Sequence, residues 1–203
     1  MLARDFRREA WSKLSGRWGQ MIGITVVYGL ILGLASAIPT VGSIINLLIA
    51  GPISIGYMAI ALKIIRAEEA KLEGLFDYFH HYGNTTILYI TNGIFIALWS
   101  LLFVIPGIVK TYAYSMSYYI MADNPDMKAS EAREASMRMM QGNKWRLFCL
   151  HFSFIGWMFL SIFTFGILLL WVVPYMQEAD AAFYQSLVGV NQPEVIDVEP
   201  VVE

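Results

Sequence analysis

Long apolar stretches are the feature of this sequence that most restricts its fold. Four of them, at 21–38, 43–62, 86–105 and 147–173, approach the ~20 residues that a helix needs to cross a bilayer. Of the 203 residues, 57% are hydrophobic and 15% are charged, against ~45–50% and ~25% in soluble domains. We therefore predict an all-α membrane protein. A disordered chain, a nucleic-acid-binding domain and a disulfide-rich secreted domain are excluded, the last because Cys149 is the only cysteine.

The basic residues indicate how often the chain crosses the membrane. With four spans, residues 109–146 and their basic side chains would lie outside, which gives a poor positive-inside bias. With six segments, every basic residue except Lys110 falls on one face. The six segments are 21–38, 43–62, 86–105, 108–122, 147–163 and 167–187. A four-span protein with a buried half-helix stays open, because 108–122 would span only ~22 Å of a ~30 Å hydrocarbon core.

Matching separations between landmark residues indicate an internal repeat of three helical hairpins, at about 21–62, 86–122 and 147–187. The landmarks repeat after 67 residues from the first hairpin to the second, and after 59 residues from the second to the third. They are Gly16, Gly83 and Gly142 before the hairpins, and Pro39, Pro106, Gly107 and Gly166 in the outer turns. Equal separations at both ends of the hairpins favour three pseudo-repeats.

An amphipathic stretch precedes each hairpin, at 6–18, 72–82 and 129–141, and each is predicted to be a helix in the plane of the cytoplasmic membrane interface. In the third, Met137, Met139 and Met140 form the apolar side, and Gly142 is a suitable stop because glycine tolerates the left-handed conformation. These helices are interpreted as anchors, with partner docking or lipid-headgroup binding as the alternative. The expected interfacial anchors are Trp18, Lys144, Trp145 and Arg146.

Polar residues within apolar segments are the candidates for function, because they are costly in lipid. They are Asn46, Asn92, Lys110 and His151. We expect interhelical hydrogen bonds or a polar cavity at the two asparagines, a side chain reaching water at Lys110, and a satisfied interfacial histidine at His151. The residues expected to allow helix packing or to break helices are Gly29, Gly33, Pro52, Pro106, Gly156, Gly166 and Pro174.

Motifs of the common enzyme classes are not found, so we expect no catalytic residues, no cofactor and no metal. An incomplete form of the motif of prenyl-protein (CAAX-type) intramembrane proteases is present around Glu69, His80 and Asn84, but Glu73 stands where that motif has arginine. All of its parts also crowd into one loop.

Several strings resemble one bacterial integral-membrane family, known as domain of unknown function 975. They are 14–19 (LSGRWG), 142–148 (GNKWRLF), 153–157 (SFIGW), 164–167 (TFGI), 170–171 (LW), 174–175 (PY) and 183–184 (FY). The resemblance implies a multi-spanning protein of the bacterial cytoplasmic membrane and implies no activity. Within these strings, we expect Trp145 at headgroup level, Lys144 and Arg146 on the anionic inner face, and a close helix contact at Gly156.

The expected arrangement is one polytopic domain at 1–187 with both termini cytoplasmic, followed by an acidic, disordered tail at 188–203. No cleaved signal peptide is predicted, since the first apolar run begins near Met21 and has membrane length. The function we expect is that of a structural or regulatory scaffold acting through membrane lipids or a membrane-protein partner. A small carrier or lipid-handling protein with a mid-membrane polar site is the alternative, and an intramembrane hydrolase is the second alternative.

Overall fold

The structure is a computed structural model and describes residues 2–37 and 41–191. Within these residues the chain forms α-helices, two short 3₁₀ helices and no strand. The helices are α1 (Ala3–Leu14), α2 (Trp18–Ser36), α3 (Val41–Ile65), α4 (Tyr82–Leu102), α5 (Val104–Tyr114), α6 (Ser117–Asp123), α7 (Ala129–Met139), α8 (Lys144–Phe152), α9 (Ile155–Phe163) and α10 (Leu169–Asn191). The 3₁₀ helices are Leu72–Leu75 and Asp77–His81. The all-helical class is confirmed.

The first antiparallel pair consists of α2 and α3. Side-chain hydrogen bonds connect the two helices along their length, and later residues of α2 contact earlier residues of α3. These bonds join Thr25 to Tyr57 (2.9 Å), Tyr28 to Ser54 (3.2 Å) and the Asn46 amide to the Ser36 hydroxyl (2.6 Å). The predicted turn residue Pro39 lies outside the described residues.

The second antiparallel pair consists of α4 and the return path of α5 and α6. Asn92 of α4 donates a hydrogen bond to Ser117 of α6 at 2.8 Å. The reversal takes place at Phe103, the one extended residue between α4 and α5, so the predicted turn at Pro106 and Gly107 is wrong. Pro106 lies in the first turn of α5, where a missing N–H costs nothing because that group has no partner within the helix.

In the third antiparallel pair, α8 and α9 run against α10. The Phe154 and Tyr175 rings meet edge to face at 5.1 Å, and His151 bonds Asp180 at 2.9 Å. The predicted turn at Gly166 is confirmed, since Gly166 has φ +84°. At the other end, α10 runs to Asn191, so the predicted tail boundary at residue 188 is wrong; residues 192–203 lie outside the described residues.

The three predicted amphipathic stretches differ in structure. In α1, Phe6, Ala10 and Leu14 are buried, and Phe6 packs on Phe183 of α10 at 5.2 Å, so the apolar face meets protein. The second stretch is not one helix but the two 3₁₀ helices.

In the third stretch, α7 buries Ala129, Ala132 and Ser136. Of the predicted methionine face, Met140, just after the helix, is fully buried in the core, Met139 packs against the core, and Met137 is only half-buried. Gly142, with φ +75°, is the predicted left-handed stop.

Two residues allow close contact along α3, which passes through the middle of the molecule. A Cβ on Gly56 would lie 2.5 Å from the Leu75 carbonyl oxygen, so only glycine fits there. Pro52 lies within α3 and leaves the Leu48 carbonyl without its helical N–H, and Thr86 of α4 donates a hydrogen bond to that oxygen at 3.3 Å. α3 runs through Pro52 without a break, and the contact with Thr86 of α4 at this point fits the expected role of Pro52 in helix packing.

The molecule has two unlike ends. We call residues 30–36, 44–48, 94–109 and 155–171 the apolar end, because exposed large hydrophobic side chains are concentrated there, around the three reversals. We call the opposite part the packed end: there α1, α6, α7 and α8 meet the adjoining halves of α3, α4 and α10, and most of the buried core lies there. Four stretches are long and apolar enough to cross a membrane by length and composition, namely Trp18–Ser36, Ile44–Ile65, Leu72–Leu102 and Lys144–Phe163.

Candidate functional site

Polar side chains of α10 form the centre of the candidate site. Gln177, Glu178 and Asp180 lie within about one turn of this helix just beyond Pro174, which lies inside the helix without ending it. The Asp180 carboxylate meets the His151 ring nitrogen Nε2 at 2.9 Å, which connects α10 to α8. His151 is thus satisfied, as the sequence predicts, and its partner is a carboxylate of the last helix.

A small cavity adjoins these residues. It has a volume of about 190 Å³ and lies between α3, α4, α5 and α10. Its polar lining includes Asn92, Thr111, Tyr114, Gln177 and Asp180. Asn92 is fully buried and donates to Ser117, while its Oδ1 has no hydrogen-bond partner among the described residues. One of the two predicted cavity asparagines therefore does line a cavity.

Glu178 is the residue that the sequence argument missed. Its side chain is 0% exposed, and neither carboxylate oxygen has a hydrogen-bond partner among residues 2–37 and 41–191. It lies within electrostatic reach of Tyr57, Tyr119 and Arg17. The signal was available, because an acidic residue inside the predicted segment 167–187 is a functional candidate by the rule that selected Asn92.

An ion-pair cluster ties the three helix pairs together at the packed end. Both terminal nitrogens of Arg66, which follows α3, donate to Asp123 at 2.8 Å, and Arg66 Nε donates to Gln185 of α10 at 3.0 Å. The Tyr184 hydroxyl donates to Asp123 at 2.9 Å. The hydrogen bonds that Arg66 donates to Asp123 raise the pKa of the Arg66 guanidinium, which stays charged. These hydrogen bonds join the end of α3 to α6 and α10, so the cluster holds the three helix pairs together.

The remaining predicted polar residues lie away from the cavity. Asn46 makes its interhelical bond to Ser36 near the end of the first pair. Lys110 does not extend freely, since its ammonium lies 5.1 Å from the centre of the Trp99 ring and 5.8 Å from that of Tyr114. A cation over an aromatic face is stabilised by the ring's negative face. Asn46 thus makes the interhelical hydrogen bond that the sequence predicts, and it does not line the cavity at Asn92.

The predicted anchors divide into two kinds. Trp145 is largely exposed and stacks on Phe148 at 5.1 Å, and Lys144 is half-buried. Arg146 instead packs over the buried rings of Phe6 and Phe183, at 5.9 and 5.6 Å, and so faces the core.

Trp18 belongs to an aromatic cluster with Trp11 and Tyr175, at 5.1 and 6.2 Å. With Trp157 and Trp171, the cluster lines an apolar crevice of about 340 Å³.

Three of the predicted packing glycines make no close contact in the described part of the chain. Gly29, Gly33 and Gly156 are exposed, and an added Cβ would meet nothing within 4 Å. Among residues 2–37 and 41–191, no helix makes the close contact predicted at Gly156. The close contacts are made at other glycines, including Gly56 and also Gly107, where a Cβ would lie 2.8 Å from Ser100 Cα.

The residues of the hydrolase alternative do not converge. Glu69 pairs with Lys71 at 3.4 Å, and it is His81, next to His80, that pairs with a carboxylate, Asp126, at 3.2 Å. Within residues 2–37 and 41–191, no group of three or more histidine, cysteine, aspartate or glutamate side chains is placed to hold a metal ion.

The fold is all-helical within the described residues, and four of its apolar stretches are long enough to cross a membrane. These features are those expected of a helical membrane protein. The chain belongs to the family described as "Protein of unknown function (DUF975)", which matches residues 1–111 and 101–191. The resemblance expected from the sequence strings is confirmed. Comparison with curated proteins and with solved structures gives no match.

Proposed function

We propose that this chain is a non-enzymatic scaffold of the bacterial cytoplasmic membrane that crosses the bilayer six times as three repeated hairpins. The observation that carries the proposal is the separation of the two ends. Exposed side chains such as Leu101, Phe163 and Phe165 surround the three reversals, while the ion-pair cluster and the buried core lie at the other end. An apolar surface of this extent is stable in lipid and unstable in water.

Charge supports the orientation. Every basic residue except Lys110 lies in α1, in α7, in the loops or in the helix ends of the packed end, so the positive-inside rule supports a cytoplasmic position for that end and both termini. α10 is not among the four stretches that are apolar enough to cross a membrane, because it carries polar residues. It has 23 residues, however, and at ~1.5 Å per residue reaches ~34 Å. Its length supports a sixth crossing.

The repeat is supported by local geometry. Gly16 and Gly142 have φ +84° and +75° and stand immediately before the first and third pairs, as repeated units would require. Gly83 instead lies in the first turn of α4, so the second unit has diverged at this landmark. A large exposed apolar surface joined to a basic end supports scaffolding through lipids or a protein partner.

A small carrier is the second candidate, because the cavity at Asn92 offers what a carrier needs. It joins Asn92 to Asp180, and the buried Glu178 lies on the same helix as Asp180. Intramembrane carboxylates of this kind often mark the paths of ions or protons. The two candidates differ in one property. A carrier exposes the buried lining residues Asn92 and Met116 to water-soluble reagents, and a scaffold keeps them inaccessible.

Cysteine labelling tests both points. In a Cys149→Ala background, we expect a membrane-impermeant maleimide to label Phe165→Cys on intact cells, and to label Lys128→Cys only after the cells are opened. Labelling of Lys128→Cys on intact cells contradicts the proposed topology. A small permeant thiol reagent should leave Met116→Cys unmodified in a scaffold, and its rapid modification favours the carrier.

A further inference from the structure

A groove at the packed end combines positive charge with an apolar wall. It has a volume of about 250 Å³ and lies between the first turns of α4 and the beginning of α7. Lys128 and Arg133 supply its charge, Asn84, Thr91 and Ser130 supply neutral polar groups, and Ile87 supplies apolar surface. This groove is separate from the cavity at Asn92.

Arg133 has an unusual position for a cation. Its guanidinium donates to the Thr91 hydroxyl at 3.0 Å and lies 4.6 Å from the centre of the Phe95 ring, alongside the apolar surface of α4. Among the described residues, neither Arg133 nor Lys128 has a carboxylate within 4 Å. A guanidinium held against a lipid-facing helix without an anion is costly, and its planar fork of N–H donors matches the oxygens of a phosphate.

Polar groups of α7 complete the charged side of the groove. The helix begins at Ala129, directly after Lys128, so its first unpaired N–H groups and the Ser130 hydroxyl lie in the same region as the two cations. One anion is already present, because Glu131 accepts a hydrogen bond from the Lys128 backbone at 3.3 Å. The two cationic side chains still outnumber it.

The apolar side of the groove continues along α4. Ile87, Ile94 and Leu98 lie on the same face of this helix as Thr91, and each is about half exposed. This strip leads from the groove into the apolar end. A molecule that fits the whole surface has an anionic phosphate at one end and a long hydrocarbon chain at the other.

We infer that the groove between α4 and α7 binds one anionic phospholipid, with its phosphate at Arg133 and Lys128 and an acyl chain along the Ile87, Ile94 and Leu98 face. The inference rests on the proposed function, since it requires the packed end to lie at the level of the lipid headgroups. It names the lipid partner site of that function. An anionic lipid fits better than a zwitterionic one, because the choline or ethanolamine cation would meet two further positive charges.

Native mass spectrometry of the purified full-length protein in detergent tests this inference, with phosphatidylglycerol and phosphatidylcholine as probes. We expect the first phosphatidylglycerol to bind about tenfold more tightly than the first phosphatidylcholine. Arg133→Gln should abolish most of that preference, and Lys128→Gln should reduce it about threefold, since lysine offers a point charge without the fork. Arg138→Gln is the matched control, because it removes one positive charge from the same helix at a position paired with Glu134.

Three results would overturn the inference. Equal losses in Arg133→Gln and Arg138→Gln would show diffuse charge attraction rather than a site, and no loss in either would show that the groove is not used. Displacement of phosphatidylglycerol by millimolar inorganic phosphate would show that the groove binds a soluble phosphate. The proposed contact between an acyl chain and α4 would then be wrong. Arg133→Lys keeps the charge and should retain intermediate affinity, which separates lost binding from lost folding.

This test and the topology test fail independently. If Lys128→Cys is labelled only in opened cells but Arg133→Gln binds phosphatidylglycerol normally, the proposed topology is supported and the proposed lipid site is wrong. If Lys128→Cys is labelled on intact cells, the proposed function falls whatever the lipid affinity.

Discussion

The packed end and the apolar end are built from the same kinds of residue but owe their stability to different surroundings. Phe183, at the packed end, is fully buried between Phe6 and Arg146, whereas Phe163, at the apolar end, is 81% exposed. In water, an exposed surface of this kind would drive association. Side-chain packing within the chain thus accounts for the packed end, whereas the apolar end would be covered by lipid in the proposed membrane arrangement.

Truncating the two phenylalanines should give the largest contrast. Phe183→Ala removes a fully buried ring and should lower the free energy of unfolding in detergent by ~3–5 kcal/mol. Phe163→Ala removes no packed contact and should change it by less than ~0.5 kcal/mol. Denaturant unfolding of the two purified variants measures both values. Similar losses would show that the apolar end is packed within the protein.

Two glycines sharpen the same contrast. Gly56→Ala places a Cβ 2.5 Å from the Leu75 carbonyl oxygen, while Gly156→Ala meets nothing within 4 Å in the described residues. We expect Gly56→Ala to cost ~1–3 kcal/mol through overpacking, and Gly156→Ala to be neutral or slightly stabilising, since alanine favours a helix. Melting temperatures in detergent compare the two. A strong loss for Gly156→Ala in the membrane alone would reveal a partner helix at that face.

The ion-pair cluster should contribute less than the aromatic core. Arg66→Gln removes two hydrogen bonds to Asp123 and one to Gln185, and should cost about 1–2 kcal/mol. Arg138→Gln, whose pair with Glu134 is exposed, should cost at most about 0.5 kcal/mol. Urea unfolding of both variants in the same detergent decides whether the cluster joins the helix pairs. Equal costs would reduce it to an ordinary surface pair.

The smallest expected effect lies between the two ends. Thr86→Val removes the hydrogen bond to the Leu48 carbonyl that Pro52 leaves free, and should cost about 0.5–1 kcal/mol. In a Pro52→Ala background that carbonyl regains a helical N–H, so the same substitution should cost less. A double-mutant cycle measures the coupling. A coupling of zero would mean that Thr86 does not compensate for the proline.

The helices could be predicted from the sequence more completely than the site. Apolar runs and the glycines at 16, 142 and 166 indicate where helices begin and end, because those signals are local. The reversal at Phe103 could not be found in this way, since Pro106 is tolerated inside the first helical turn and looks like a breaker in sequence. The burial of small residues along α7 depends on its neighbours α4, α5 and α6, which the sequence does not place.

The candidate site shows a similar limit. The sequence singles out Asn92 and His151, but the partners Ser117 and Asp180 are distant along the chain and are known only from the fold. Glu178 could have been found, because it lies in a predicted segment. The groove at Arg133 could not have been predicted, because it forms only where the fold brings Arg133 next to Thr91 and Phe95.

Collision accessibility of spin labels in liposomes measures whether the apolar end lies in lipid. With Cys149 replaced, a label at Phe159 of α9 or Ile94 of α4 should relax mainly by collision with oxygen, which concentrates in the hydrocarbon core. A label at Arg138 should relax mainly by collision with a water-soluble nickel complex. If the labels at Phe159 and Ile94 prove as accessible to nickel as the label at Arg138, the apolar end does not lie in lipid and the account is contradicted.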